Sequence, residues 1–409
     1  MSRPAPSLSV QPAPLPAYTT PDTLFTRDFL LLCVSSFLFS SSMFLLFAVL
    51  PLFVVQELKG AQSQVGLIMG AFAVSSVLSR PSSGRLVDLW SRKAGLSLGA
   101  LIYCVAPALY TQASSVTMML GLRFFHGIGI ATYTTSGSVL VADLCPPTRR
   151  GEGMGYYGMS MNLAMTVGPA LGAALVEVIG FTGLFWLSAS FALTSLVMVQ
   201  FVSEPHRIQH AQVGIQRPSL FSRAALFPGF IAMCMTMTFG TVVSFLPLFV
   251  RDHGLGNPGL FFTVYSIVVV ASRPFSGQWS DRFGRMAVII PGMILLAVAM
   301  IFLAYTTTQW GLLSSAVLQG LGFGCVHPSI MAWVVDRSTA HDRGPALATL
   351  MGAFDVGVGL SAIGLGVVLQ YTSFTVLYLC AAGIALCGAG ACAAVTLAQR
   401  NEQQRVSQA

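Results

Sequence analysis

Fifty consecutive residues, Met286 to Val335, contain no Asp, Glu, Lys or Arg, and a second charge-free run extends from Val356 to Gln399. Each is about twice the roughly 20 residues that a helix needs to cross a bilayer, so each must fold back on itself as two spans. The turns fall near Thr306 to Gln309 and near Tyr371 to Ser373. These runs are continuously apolar rather than alternating, and lipid requires every backbone polar group to be bonded within its own segment or within a closed barrel. Helices follow. A soluble domain is about one quarter charged, whereas this chain is 9 % charged and 55 % hydrophobic, with a mean hydropathy of +0.75. An integral, all-α membrane protein is expected.

The same criterion places further spans, giving 29–54, 63–81, 94–111, 115–141, 153–178, 181–202, 227–250, 259–277, 286–305, 309–334, 345–369 and 374–398. The expected organisation is a Pro-rich disordered tail over 1–27, a six-helix bundle over 28–202, a polar linker over 203–226, a second six-helix bundle over 227–398 and a tail over 399–409. With both termini inside, every Lys and Arg is cytoplasmic except Lys59 and Arg251, which lie outside, and Arg123, which lies within a span. This bias fixes the orientation. It also explains the net charge of +7 without any nucleic-acid surface. The first apolar run is too long for a signal-peptide core and lacks a cleavage pattern, so it is retained as a helix. The eight cysteines are scattered through the spans without metal-ligand spacing and read as packing residues, with no metal and no cofactor expected.

One loop is written twice. Arg80-Pro81-Ser82-Ser83-Gly84-Arg85-Leu86-Val87-Asp88-Leu89-Trp90-Ser91-Arg92 returns, 193 residues later, as Arg273-Pro274-Phe275-Ser276-Gly277-Gln278-Trp279-Ser280-Asp281-Arg282-Phe283-Gly284-Arg285. The same offset matches Gly127 to Gly320, Asp143 to Asp336, Arg150 to Arg343 and Gly151 to Gly344. Because charges are scarce, such matches are far less expected by accident than matches among Leu or Ala. Duplicated halves in a hydrophobic chain point to a transporter.

The repeated Gly-x-x-x-Asp-x-x-x-Arg pattern resembles the signature loop of the major facilitator superfamily, although Leu89 and Ser91 depart from it in the first copy. The resemblance implies twelve transmembrane helices in two pseudo-symmetric six-helix bundles that rock about a central site. It also implies a gating role for Gly84, Asp88 and Arg92 and for Gly277, Asp281 and Arg285. On the fifth span, Gly155, Ala164, Gly168-Pro169 and Gly172-Ala173 are similar to a motif of proton-coupled exporters, with Ala164 and Ala173 replacing usual glycines. Independently of any family, Gly168 and Gly172 lie one turn apart and allow close helix contact, while Pro169 permits a bend. The stretches Arg149 to Tyr157 and Phe354 to Gly359 resemble a bacterial branch that includes efflux permeases and exporters of opine metallophores.

Candidate mechanism residues follow from the expense of charge in lipid. Asp355 is the one acidic residue deep in a span, about 16 Å from its start by helical rise. There it must be protonated, paired or facing a wet cavity, and it is the first candidate for carrying a proton. The alternative is a protonated, hydrogen-bonded packing residue. Arg123, the one basic residue inside a span, resembles the superfamily's proton-coupling arginine on the fourth helix, and its counterpart in the second half is Ala316. An anionic substrate group or Asp355 would neutralise it. His126 and His327 titrate near neutral pH if solvated, but a lone membrane histidine more often packs. The resemblance assigns the cavity lining to the first, fourth, seventh and tenth spans, making Ser40, Tyr133, Thr134 and Thr241, with Asn162 on the fifth, candidate substrate contacts. Serine and threonine can instead bond their own backbone. Asp88 and Asp281 are placed to meet a helix N-terminus, with Arg80, Arg92, Arg273 and Arg285 as partners or anchors of the loops. Pro51 and Pro247, in matching Leu-Pro-Leu-Phe-Val runs, are candidate bending points.

The expected function is proton-coupled antiport of a small organic molecule by a monomer in the bilayer, with uptake of a sugar or organic anion by symport or facilitated diffusion as the alternative. No ATP-binding loop, nucleophile motif or metal cluster argues for an enzyme.

Overall fold

The computed structural model describes residues 23–146, 149–204, 222–338 and 343–408. Most of the expected tail over 1–27 and of the linker over 203–226 therefore lies outside the described residues. Every regular element described is helical. In chain order these are α1 (Arg27–Phe47), α2 (Leu50–Gln56), α3 (Gln62–Leu89), α4 (Arg92–Tyr110), α5 (Val116–Leu144), α6 (Arg150–Gln200) and α7 (Arg223–Asp252). Then come α8 (Pro258–Phe283), α9 (Arg285–Tyr305), α10 (Gln309–Arg337), α11 (Arg343–Leu360), a π-helical turn (Ser361–Leu365), α12 (Gly366–Tyr371) and α13 (Phe374–Gln408).

These elements make twelve crossings. Breaks at Ala48 and Val49 leave α1 and α2 as two parts of the first span, and the π turn joins α11 to α12 as the eleventh. The fifth and sixth spans run together as α6, where one residue, Gly180, leaves helical geometry at φ 69° and ψ 177°. That backbone region is open essentially to glycine alone, so this single residue turns the chain back. Nine helices among the described residues are long and apolar enough to cross a membrane, ten with the bent α8. The second limb of α6 and the more polar, 29-residue α5 complete the set. The twelve-span reading is thus recovered, as an all-α membrane fold.

Side-chain caps set several starts. Thr26, Ser91, Ser115, Asn257 and Thr308 accept backbone N–H groups at the beginnings of α1, α4, α5, α8 and α10. Pro51 sits in the first turn of α2, just past the break, whereas Pro247 lies inside a continuous α7. The matched prolines therefore act differently: the first half is interrupted there and the second is not.

In the first half α1 packs on α6, α3 on α5, and α4 on both α5 and α6; in the second α7 packs on α11, α10 on α8 and α9, and α13 on α9. The halves meet along two seams, α3 against α11, the π turn and α12, and α6 against α8. The most apolar windows of α1–α2 and α7 are 83 % and 89 % buried, which makes them the central helices of the assembly.

Gly180→Ala is expected to lower the melting temperature of the detergent-solubilised protein, corresponding to about 1–3 kcal/mol of backbone strain. No described atom lies within 4 Å of the added Cβ, so the effect is conformational and not steric. The control Gly390→Ala, in helical geometry on the exposed face of α13 with equally open space, should be neutral or slightly stabilising.

Candidate functional site

Ser76 and Arg80 lie one turn apart on α3 and point at the same oxygen of Asp355 on α11. Ser76 Oγ donates to Asp355 Oδ2 at 3.1 Å and Arg80 Nε donates at 3.2 Å, while Arg80 Nη2 closes the ion pair. The two side chains are 24 % and 28 % exposed, so the pair is neither dry nor freely solvated. Asp355 is twelve residues into α11, about 18 Å by helical rise, and Arg80 is nine residues from the end of α3, about 14 Å. This pair joins the two halves at bilayer depth. Arg80, expected to anchor its own loop, instead reaches across, and Asp355 is thereby engaged by Arg80 and not by Arg123.

Arg123 lies elsewhere, 1 % exposed within the first half. Its guanidinium carbon sits 4.2 Å from the centre of the Phe72 ring, and Nη2 reaches Met69 Sδ at 4.0 Å. His126, one turn on, is fully buried; its Nδ1 meets the Tyr110 hydroxyl at 2.7 Å and its ring lies 4.0 Å from that of Tyr103. His327 is sandwiched between Phe323 and Phe354 at ring separations of 5.5 and 5.1 Å.

The remaining candidates divide by what holds them. Tyr133 is fully buried, stacked on Phe39, and its hydroxyl shares a cluster with Ser35 at 2.8 Å and Ser195 at 3.3 Å. Thr134 and Thr241 donate to the carbonyls of Ile130 and Met237 on their own helices. These three side chains are satisfied within their bundles, and Ser40 is buried on α1. Gly168 and Gly172 face α1, where a Cβ would meet Phe44 and Leu45, and Pro169 lies between them inside α6. At Gly84 and Gly277 no described atom lies within 4 Å of an added Cβ.

The repeated segment is helical for most of its length: α3 runs to Leu89 and α8 to Phe283, with the next helices starting at Arg92 and Arg285. The Asp88 side chain lies outside the described residues. The carboxylate found at a helix N-terminus is Glu204, which accepts from the backbone N–H of Arg92 at 2.9 Å and of Lys93 at 3.4 Å. Arg92 also pairs with Asp143 at 3.0 Å, and its counterpart Arg285 pairs with Asp336 at 2.8 Å and with Asp281. The 193-residue offset relates Arg92 to Arg285 and Asp143 to Asp336, so one clamp is built twice.

The seams obey the same offset. Gly66 approaches Gly366 as Gly259 approaches Ala173, and Ala73 faces Gly359 as Ser266 donates to the Thr166 carbonyl. Carried to the third position, the partner positions of Arg80 and Asp355 are Arg273 and Asn162. Asn162 thus occupies the position on α6 that an acid occupies on α11. Further polar contacts between the halves, Gln62 to Asp252 and Asn257 to Glu177, both at 2.8 Å, lie at the bundle end farthest from the N-terminus of α1.

Sequence reasoning missed Ser76, Glu204, Tyr103 and Tyr110 as site residues. The repeat offset contained the Arg92–Asp143 and Arg285–Asp336 partners, but nothing in composition signals which helix of one half faces which helix of the other.

A family model described as Major Facilitator Superfamily matches residues 32–262 and 256–408. The staphylopine export protein of Staphylococcus aureus is 22 % identical over 383 residues, covering 86 % of this chain and 91 % of that protein. Multidrug resistance protein 1 of Bacillus subtilis is 23 % identical over 293 residues, covering 69 % and 74 %. Among solved structures, a nucleoside transporter superposes with a TM-score of 0.74 at 15 % identity, covering 90 % of this chain and 99 % of its own. The relatives are transporters and not enzymes.

A double-mutant cycle of Arg80→Met and Asp355→Asn, read by resistance to denaturing detergent, should give a coupling energy of about 1–3 kcal/mol between two residues 275 apart in sequence. Additive effects would mean the two residues act separately.

Proposed function

Because this chain belongs to the major facilitator superfamily, we propose that it is a secondary exporter that exchanges an inward-moving proton for an outward-moving small organic molecule. Its cargo is a drug, metabolite or metallophore, and it works as a monomer in the bacterial inner membrane with both termini cytoplasmic. The bundles over 28–202 and 227–398 are the bodies that rock against each other.

The observation that carries this reading is the Arg80–Asp355 pair. Ionised, Asp355 accepts from Arg80 and Ser76 and draws α3 onto α11. Protonated, it loses the charge that makes those bonds strong, weakening the seam by about 1–3 kcal/mol. A shift of that size changes the ratio of two nearly balanced conformations by roughly ten- to a hundredfold. At the matching place on the other seam stands Asn162, which takes no proton, so the titratable lock is confined to one side of the molecule.

Export is supported by the Gly168-Pro169-x-x-Gly172 run on α6 and by the printed roles of the staphylopine export and multidrug resistance relatives.

Comparing exported metabolites and drug tolerance between a deletion strain and its complemented parent identifies the cargo, and accumulation in place of loss would assign uptake. With that cargo in proteoliposomes, wild-type protein should move protons against the cargo flux, followed by a pH-sensitive dye. Asp355→Asn should keep cargo–cargo exchange and lose the proton movement; a fully coupled Asp355→Asn protein removes Asp355 from the mechanism.

A further inference from the structure

The first half contains a buried polar cluster in which three atoms find no hydrogen-bond partner, although the Tyr110 hydroxyl accepts from Arg123. Arg123 is 1 % exposed and forms no ion pair among the described residues, and its Nε has no hydrogen-bond partner. His126 Nε2 and the Tyr103 hydroxyl, both on fully buried residues, are likewise without partners. The three are contiguous: Arg123 and His126 share a face of α5, the His126 ring lies 4.0 Å from that of Tyr103, and the guanidinium lies beside the Tyr110 hydroxyl.

The tautomer follows from the Tyr110 contact. The phenol is the stronger acid and donates to His126 Nδ1 at 2.7 Å, so a neutral imidazole carries its hydrogen on Nε2. The unmet groups are then an N–H of a guanidinium, an imidazole N–H and a phenol O–H, all able to donate. A ring face such as that of Phe72 offsets only part of the hydration a buried cation gives up. The one acid at this depth, Asp355, is held by Arg80. The surroundings are apolar and aromatic: Met69, Phe72, and Phe39 packed on Tyr103.

The repeat supplies an internal control. At the offset of 193, Arg123, His126, Tyr103 and Tyr110 correspond to Ala316, Gln319, Leu296 and Leu303. The scaffold therefore does not need this cluster.

We propose that Arg123, His126 and Tyr103 form a carboxylate-binding subsite, and that the cargo is an organic acid with an apolar or aromatic body. Arg123 supplies the charge-assisted contact, His126 and Tyr103 the directional ones, and Met69, unbranched and adaptable, is the wall that yields to the body of the acid. Only the word cargo rests on the export reading; the binding site stands on the cluster itself.

The test uses the purified full chain in chloride-free detergent buffer, with melting temperature followed against benzoate, its neutral isostere benzamide, benzylammonium and chloride. Benzoate should raise the melting temperature saturably, and the other three should not. Arg123→Gln should weaken benzoate binding about tenfold or more, Tyr103→Phe severalfold, and Gln319→Leu at the twin position not at all. Should Arg123→Gln fail to fold, Arg123→Lys, which keeps the charge and loses the fork, should bind benzoate more weakly than wild type. The proposal is overturned by an absent benzoate response, by an equal response to benzamide or benzylammonium, or by benzoate binding undiminished in the Arg123 variants. An equal, Arg123-dependent response to chloride overturns it too, since the cluster would then be a structural site for an inorganic anion. Binding in detergent needs no gradient, so a failed proton-exchange experiment leaves this result standing and the converse holds as well.

Discussion

A full charge at bilayer depth must find a partner or remain next to water, because the surrounding medium returns almost none of the hydration it has lost. In this chain that rule acts on very few side chains. Asp355 is the one acid deep in the spans, and the sequence offers Arg123 as its partner while making Arg80 a loop anchor. The fold decides by placing α3 against α11, so Arg80 and Ser76 take the carboxylate. Arg123 is left over a phenylalanine ring with unmet donors. One pairing thereby settles the contacts of both arginines: Arg80 ties α3 to α11 through Asp355, and Arg123 is left with no ion pair among the described residues.

Those assignments depend on how closely the helices approach. Gly66 and Gly366 bring α3 against α12, and Gly359 admits Ala73 nearby, which sets the distance at which a serine and an arginine on α3 can both reach one carboxylate on α11. Small residues here act through backbone separation and not through chemistry. The clamps, Arg92 with Asp143 and Arg285 with Asp336, each tie two helices of the same half together.

The number of crossings and the repeat were legible because lipid imposes them on composition: apolar length sets the spans, and scarce charges make the offset visible. The same length argument separated the fifth and sixth spans between 178 and 181, without singling out Gly180 as the residue that turns the chain. Pairing between halves was not legible. Nothing local to Arg80 distinguishes a loop anchor from a residue that crosses to Asp355, since the contact joins positions 275 apart and depends on which helix of one half meets which of the other. Tyr133, Thr134 and Thr241 looked like cavity residues for an analogous reason: a hydroxyl that bonds its own helix and one that bonds a ligand have the same sequence. The π turn at Ser361–Leu365 was equally hidden, although the offset aligns it with 168–172, where the first half places its Gly-Pro sequence.

The duplication also separates scaffold from function. Positions required to build two like bundles and to fit them along two seams recur at the offset: the clamp arginines and their aspartates within each half, and the small residues at 66, 173, 259 and 366 between them. Positions at which the copies diverge in charge are free of that requirement, because the other half builds the same geometry without them. Asp355 opposite Asn162 and Arg123 opposite Ala316 are such positions. Retaining an acid on one seam and a base in one bundle makes the molecule electrically asymmetric about its own pseudo-axis, so a change in how α3 meets α11 alters the surroundings of Asp355 with no matching acid on the other seam.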